Sequence, residues 1–328
     1  MIPWLGPSQF NFDAERHKSF LLQKLTMFKL IRLACTVMAV LSVAVPAVAD
    51  TLGQKPSYIW GGLSAVPNEQ AITRTIWAPG LEDGYVPQGL THLADTVFVA
   101  GYHSTDTTVD RGPCRIFSVS TTDGKQTGYF DMPEDCGHAG GLVFIGGGML
   151  VVADTRRLYK IDLARALVSK SAQDALVSVV KLGGALKGSF VDFDGTDLWI
   201  GSSEKEATKA KAHRLSLDIF DQFNGTHAIK EDKALSTIPI PTEANGMAFD
   251  AGGTLWLSSS NSKYGALYRL NSKTGEVQSR FEMVIGIEDL GFDADGKLWA
   301  VSEAGARRWT KWSKTYPVIF QIDVSALK

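Results

Sequence analysis

The chain has 328 residues, 45% of them hydrophobic and 21% charged, with 32 Gly against 12 Pro; this balance fits a globular chain with a large core and excludes collagenous, low-complexity and disordered classes. Its 33 Lys and Arg against 35 Asp and Glu leave a formal charge of −2. That balance gives no support to a nucleic-acid partner.

The first element in chain order is an address. From Met27 the sequence places Lys29 and Arg32 before an apolar run, Leu33 to Val48, that ends in Ala47-Val48-Ala49. A basic segment, an apolar segment and a small-residue site predict a signal peptide over 27–49, with residues 1–26 a mis-called or non-native extension ahead of Met27. An uncleaved anchor is the alternative, but the run is shorter than the ~20 residues a spanning helix needs. Nothing else in the chain predicts a membrane span. Removing 49 residues takes away five basic groups (Arg16, Lys18, Lys24, Lys29, Arg32) and two acidic ones (Asp13, Glu15), leaving 28 basic and 33 acidic residues and a charge of −5. Cys35 leaves with them. The remaining pair, Cys114 and Cys136, is expected to form a disulfide in an exported protein, periplasmic or secreted, with two free thiols as the alternative.

From residue 50 to 328 one phrase recurs, at Gln88, Gly140, Ser189, Asn245 and Glu288. Its clearest copies are Asn245-Gly-Met-Ala-Phe-Asp-Ala-Gly-Gly-Thr-Leu-Trp and Glu288-Asp-Leu-Gly-Phe-Asp-Ala-Asp-Gly-Lys-Leu-Trp. Each copy reads as two strands joined by a Gly- or Asp-rich turn. A third strand follows each copy: 115–119, 158–162, 215–219, 266–270 and 318–323. A fourth follows four of them, at 127–130, 177–181, 236–240 and 277–281. A spacing of about 50 residues in short strands predicts propeller blades.

The fifth set lacks its fourth strand because the sequence ends at Lys328, and Ile72–Trp77 is the unassigned strand that would complete it. The fold class is therefore all-β: a β-propeller of four-stranded antiparallel blades in one domain, closed by an N-terminal strand. Five blades is the expected count and six, one degenerate, the alternative. Ser57 to Leu63 is an optional outer strand. Ala164–Ala175 and Glu204–Ala212 are expected to be short surface helices.

The turns between first and second strands are short, whereas the loops leaving the second strands are long and polar, at 103–113, 203–213, 259–265 and 303–317. Sites sit where rich loops cover a rigid scaffold, so the candidates gather at that mouth. Gln88, Ser189, Asn245 and Glu288 start inner strands and offer oxygens to Ca²⁺ or another divalent cation, or cap strand ends beside channel water. Asp154, Glu204 and Glu303, at or just beyond second-strand ends, are candidates for the further charge such an ion needs. His103 and His138 are candidate acid–base groups. Arg307-Arg-Trp-Thr-Lys-Trp-Ser-Lys brings Arg307, Trp309 and Trp312 together, either to stack on a ligand or to cover the mouth as a lid. The Asp-Gly turns at Asp194, Asp250 and Asp293 lack the carboxylate spacing of a calcium loop and read as turn residues. No nucleophile elbow, zinc-protease helix, phosphate loop or dinucleotide fingerprint occurs.

The two clearest phrases resemble the blade motif of the gluconolactonase, regucalcin and strictosidine synthase-like propellers, over about residues 86–303. The resemblance implies a divalent cation, often Ca²⁺, on a Glu, an Asn and an Asp at the channel mouth, activating lactone hydrolysis. By position, Asn245 and Glu288 match the Asn and Glu, and the Asp has no counterpart at a strand start.

Two functions follow as expectations. One is a non-catalytic, monomeric propeller that binds a small molecule, a glycan or an exported protein partner at the channel mouth. The alternative is a metal-dependent lactonase or esterase-like hydrolase, with Asn245 and Glu288 as ligands and His138 carrying a proton.

Overall fold

A computed structural model of the protein describes residues 50–260 and 263–328. The expected extension and signal peptide lie outside the described residues. Twenty strands form five four-stranded antiparallel sheets. Strand β1 (Ile72–Trp77) comes first and belongs to the last sheet. The first blade is β2 (Tyr85–Leu93), β3 (Thr96–His103), β4 (Cys114–Ser120) and β5 (Gln126–Asp131). The second is β6 (Gly141–Phe144), β7 (Met149–Asp154), β8 (Arg157–Asp162) and β9 (Leu176–Lys181). The third is β10 (Phe190–Phe193), β11 (Leu198–Gly201), β12 (Lys211–Leu215) and β13 (Ser236–Pro239). The fourth is β14 (Ala244–Phe249), β15 (Leu255–Ser259), β16 (Gly265–Leu270) and β17 (Val277–Met283). In the fifth, β18 (Ile287–Phe292), β19 (Leu298–Ser302) and β20 (Val318–Ile322) are completed by β1, Trp77 pairing with Val318 and Thr75 with Phe320.

The inner strands abut in the order β2, β6, β10, β14, β18 and back to β2, closing the ring. Closure by β1 covers a sheet edge that would otherwise offer unpaired N–H and C=O groups. The blade count is five.

The recurring phrase is held by one hydrogen-bond device. Asp194, Asp250 and Asp293 sit in the first turns of their blades, and each accepts the indole N–H of the following Trp: Trp199 at 2.8 Å, Trp256 at 3.1 Å and Trp299 at 2.8 Å. The other oxygen of each carboxylate takes backbone N–H groups of its own turn, such as Asp295 and Lys297 at Asp293. The Asp fixes the turn, and the buried Trp anchors the second strand between blades. Trp299→Phe keeps most of the apolar area and loses the bond to Asp293, an expected cost of about 1 kcal/mol in urea unfolding. No change in the midpoint would show that Asp293 holds the turn without the indole.

Three expectations on elements need correction. The third strand of the third blade runs over Lys211–Leu215, not 215–219, and Ile219–Gln222 is a single helical turn. Leu215 pairs with Leu198, the first residue of the four-residue β11, so a strand continuing to 219 would have no partner. Of the two short helices, Leu163–Ser169 forms, capped by Asp162 on the N–H of Arg165, while 204–210 is a turn leading into β12. Residues 57–63 form no strand; Leu52 instead makes a single bridge to Ile76 beyond the edge of the closing blade.

Candidate functional site

Three inner strands carry β-bulges at the same place. The pairing shifts register between Pro87 and Leu90, between Ala244 and Gly246, and between Ile287 and Leu290. The unpaired residues include Gln88, Asn245 and Glu288. A bulge re-aims a side chain out of the ladder, so the strand ends present these three groups to the channel mouth.

The group they form is acidic. Gln88 is buried and donates from Nε2 to Glu303 Oε2 at 3.0 Å, while Asn245 Nδ2 donates to Glu288 Oε1 at 3.2 Å. Burial pushes the Glu303 carboxyl up to about 7, although Gln88 and Arg308 pull it down. Burial also raises Glu288 well above the ordinary range; the charge of Glu303 adds to this and Asn245 opposes it. Two acids with raised affinity for a proton in one water-poor place make a candidate site for binding or proton transfer. Glu303 thus supplies a carboxylate beside Glu288.

Three further residues complete the surroundings. Tyr102 is buried beside both acids, and burial followed by the charge of Glu303 raises its pKa above the ordinary value. His138 stacks on Tyr102 with ring centroids 4.7 Å apart, and burial lowers its pKa, so its imidazole is neutral at pH 7. Beneath them Asp289 is fully buried and accepts backbone N–H groups from Leu90 and Leu142, both at 3.0 Å. It stands where the first, second and fourth blades carry Gly89, Gly141 and Gly246 and the third carries Phe190. At Gly246 the contact excludes a side chain, since a Cβ there would come 2.4 Å from Asp289 Cα. Asp289 therefore forms the polar floor of the mouth.

The 303–317 segment borders these groups, beginning at Glu303 itself. Arg308, 7% exposed, donates to Ser104 Oγ at 3.1 Å, to Asp110 Oδ1 at 2.5 Å, and to the carbonyls of Asp106, Thr107 and Val109. This latches the segment to the 104–110 loop of the first blade. Trp309 and Trp312 stack on each other at 4.7 Å. The Trp309 indole N–H is near enough to lower the Glu303 pKa but makes no hydrogen bond of good geometry.

The structure sets other candidates apart. Asp154 is fully buried, with Oδ1 accepting the N–H groups of Gly137, His138 and Ala139 and Oδ2 accepting Arg111 at 2.9 Å, so it organises the loop that carries His138. Ser189 accepts the N–H of Ser203 at the rim of the third blade. Glu204 is paired with Lys187. His103 is exposed and meets Tyr85 edge-on, away from the stack of Tyr102 and His138. Arg307 faces outward to Glu82 at 2.7 Å and lies over the Tyr58 ring. His213 is buried in β12 against Thr237.

Cys114 and Cys136 are bonded, with Cα atoms 5.9 Å apart. Their sulfurs and Asp154 lie within 4.8 Å of one another. This is not a metal centre, since the sulfurs are used by each other and the carboxylate by four donors. The bridge ties the start of β4 to the loop before His138. Replacing both cysteines with Ser is expected to cost about 3 kcal/mol in urea unfolding, from a loop of 22 residues. Two titratable thiols in the native wild-type protein would contradict the bond. Among the described residues no helix is long and apolar enough to cross a membrane.

A groove of about 540 Å³ lies elsewhere, between residues 53–56 and the segment joining β1 to β2. Of its charged groups, Glu82 is paired with Arg307 and Asp123 with Lys125.

No family model matches the chain, and no curated protein matches it. Among solved structures it is similar to glutaminyl cyclase from Myxococcus xanthus, at 11% identity over 77% of this chain and 94% of that one, with a TM-score of 0.53. It is also similar to the PQQ-bound aldose sugar dehydrogenase from Streptomyces coelicolor, at 13% identity over 79% and 98% of the two chains and a TM-score of 0.45. A putative gluconolactonase matches at 18% identity over 73% and 80%, with a TM-score of 0.40. At 11% identity the likeness to the cyclase is one of fold, and by fold the chain is a five-bladed β-propeller.

Proposed function

We propose that the protein is an exported propeller that binds a small molecule at the channel mouth, gripping a cationic or donor-rich group between Glu288 and Glu303 under the Trp309–Trp312 segment. One observation carries the reading. Two buried acids, each steadied by one carboxamide, lie together at the end of the ring axis. Neither serves the fold as Asp154 or Asp289 does. Buried like charges lower stability unless a proton or a cationic group joins them, and such a cost is retained where function needs it. The disulfide fits an oxidising compartment.

The test is a tryptophan-fluorescence titration with methylammonium chloride and with glucose, reading the stacked pair above the acids. Binding by either that weakens at least about tenfold in Glu288→Gln supports the reading. Curves that are identical in wild type and variant sink it.

A second reading, a divalent-metal-dependent hydrolase of lactones or related esters, is favoured by the donor chemistry. Glu288, Glu303, Gln88 and Asn245 are all hard oxygen donors of the kind Ca²⁺ accepts, and they extend the Asn245 and Glu288 pair that the sequence suggests. A bound cation there would polarise a carbonyl. This chain would supply the carboxylates that hold it, Tyr102 and the lid tryptophans to exclude water, and the neutral imidazole of His138 to take up a proton. Millimolar Ca²⁺ should then raise the melting temperature of the wild type relative to a chelator-treated sample, and not that of Glu288→Gln. An unmoved wild-type temperature removes the hydrolase reading and leaves the first.

A further inference from the structure

Among the described residues, four side-chain polar atoms are buried without a hydrogen-bond partner: Arg214 Nε, Asp289 Oδ1, Arg308 Nε and Trp309 Nε1. Arg214 Nε has an ion pair to compensate it, 3.3 Å from Asp194. The other three all belong to the channel mouth. Native proteins leave few such atoms unpaired, and each calls for a reason. Three in one place outline a ligand by the bonds it has yet to make.

The orphans differ in kind. Two are donors, the Arg308 guanidinium edge and the Trp309 indole, which pack together with the guanidinium carbon 4.6 Å from the indole ring. The third is a carboxyl oxygen, Asp289 Oδ1, on the neighbour of Glu288. A metal cation would satisfy the floor, leave both donors unpaired and be repelled by Arg308. An anion would satisfy the donors and meet three acidic groups. A neutral polyol could reach both but would leave three acids balanced by one guanidinium that Asp110 already shares.

From this pattern, and resting on the ligand site proposed above, we infer that the ligand is a small zwitterion, an amino acid or short ω-amino acid, with its carboxylate on Arg308 and Trp309 and its ammonium between Glu288 and Glu303. The ligand enters when the 303–317 segment lifts, and its carboxylate draws that segment back by pairing the two donors. Recognition at both ends gives selectivity against either fragment, because a buried polar group left unpaired is costly.

The experiment titrates the full chain with glycine, β-alanine, γ-aminobutyrate and 6-aminohexanoate, then with methylammonium, acetate, glucose and Ca²⁺, following tryptophan fluorescence and melting temperature. At least one amino acid should bind at least about tenfold more tightly than both methylammonium and acetate. Trp309→Phe, which keeps a ring to stack on Trp312, should erase that advantage by weakening the amino acid at least about tenfold and methylammonium by less, and a cooperative melting transition reports that the variant is folded. Glu288→Gln should weaken both amino acid and amine. If glucose or Ca²⁺ binds in a Glu288-dependent way and no amino acid does, the zwitterion is wrong and the site stands. An amino acid no better than methylammonium overturns the zwitterion in the same way. If no probe is sensitive to Glu288→Gln, the site itself is wrong.

Discussion

Glu303→Gln is expected to raise the stability of the ligand-free protein at pH 8 by about 3 kcal/mol and to leave it unchanged near pH 4. The Glu303 carboxyl titrates at about 7 in the fold against 4.5 for the ordinary side chain, and each unit of difference is worth about 1.4 kcal/mol. A raised folded pKa means that the native state holds its proton more tightly than the unfolded chain. The contribution is fully present below pH 4.5 and is lost as pH rises through 7, where the folded protein must carry a buried charge. Glutamine resembles the protonated acid and keeps the Gln88 bond partner, so it removes the loss.

Asp192, pushed up to about 7 by burial, gives a parallel fall that the variant retains. His138, lowered by burial, gives an opposite slope, with stability lost as pH falls below 6.5. The difference between wild type and variant reports Glu303 together with the part of the Glu288 shift that the Glu303 charge causes. Urea unfolding at half-unit intervals from pH 4 to 8.5 measures it. A difference that does not grow with pH would show that Glu303 is ionised and well solvated in the native state, and would remove the buried acid pair from the site. Loss of ligand binding in a variant of higher stability would mark the acid as kept for binding.

Much of the ring was legible because its strongest signals are local. Phe-Asp-x-x-Gly-x-Leu-Trp contains its own turn, its own Asp-to-indole bond and the β-branched or aromatic second strand, so Asp250 and Trp256 identify a blade without knowledge of the rest. The closing strand followed from counting, since one blade lacked an edge and Ile72–Trp77 lacked a sheet. The slip in the third blade came where local signal ran out. Leu215, Leu217 and Ile219 alternate as a strand would, and the four-residue length of β11, a tertiary limit, decides the register.

The site was legible to the extent that it lies on strand starts. Gln88, Asn245 and Glu288 were placed by the repeat, but their aim depends on bulges that no spacing in the sequence announces. Asp154 was placed on the right strand, and its role differs because a backbone loop uses one of its oxygens and the Arg111 side chain the other. Tyr102 and Arg308 depend on the path of two long loops. Asp289 did leave a signal. The repeat aligns it with Gly89, Gly141 and Gly246 and, in the third blade, with Phe190; it is the one charged residue at this position and marks a point where the ring is asymmetric.

That asymmetry leads to the largest expected loss of stability, in Asp289→Ala. The Asp289 carboxylate reaches from the fifth blade to backbone N–H groups of the first and second, Leu90 and Leu142. Alanine leaves two fully buried donors unpaired, each costing about 1–3 kcal/mol, for a total of about 4 kcal/mol and a melting temperature lower by about 10 °C in a chain of this size. Asp289→Asn separates hydrogen bonding from charge. Its carbonyl oxygen can accept both N–H groups, and burial already holds the native carboxyl well above the ordinary range, so the amide should fold at least as stably as the wild type at pH 7. It places an N–H₂ group where the acid presents Oδ1, which should weaken a ligand ammonium bound above it. Equal destabilisation in Ala and Asn variants would mean that Asp289 holds the ring by charge, and no destabilisation in Ala would mean that water replaces it at the axis. The first outcome would place a bound cation at the floor and the second an open channel, and each contradicts a floor closed by this side chain.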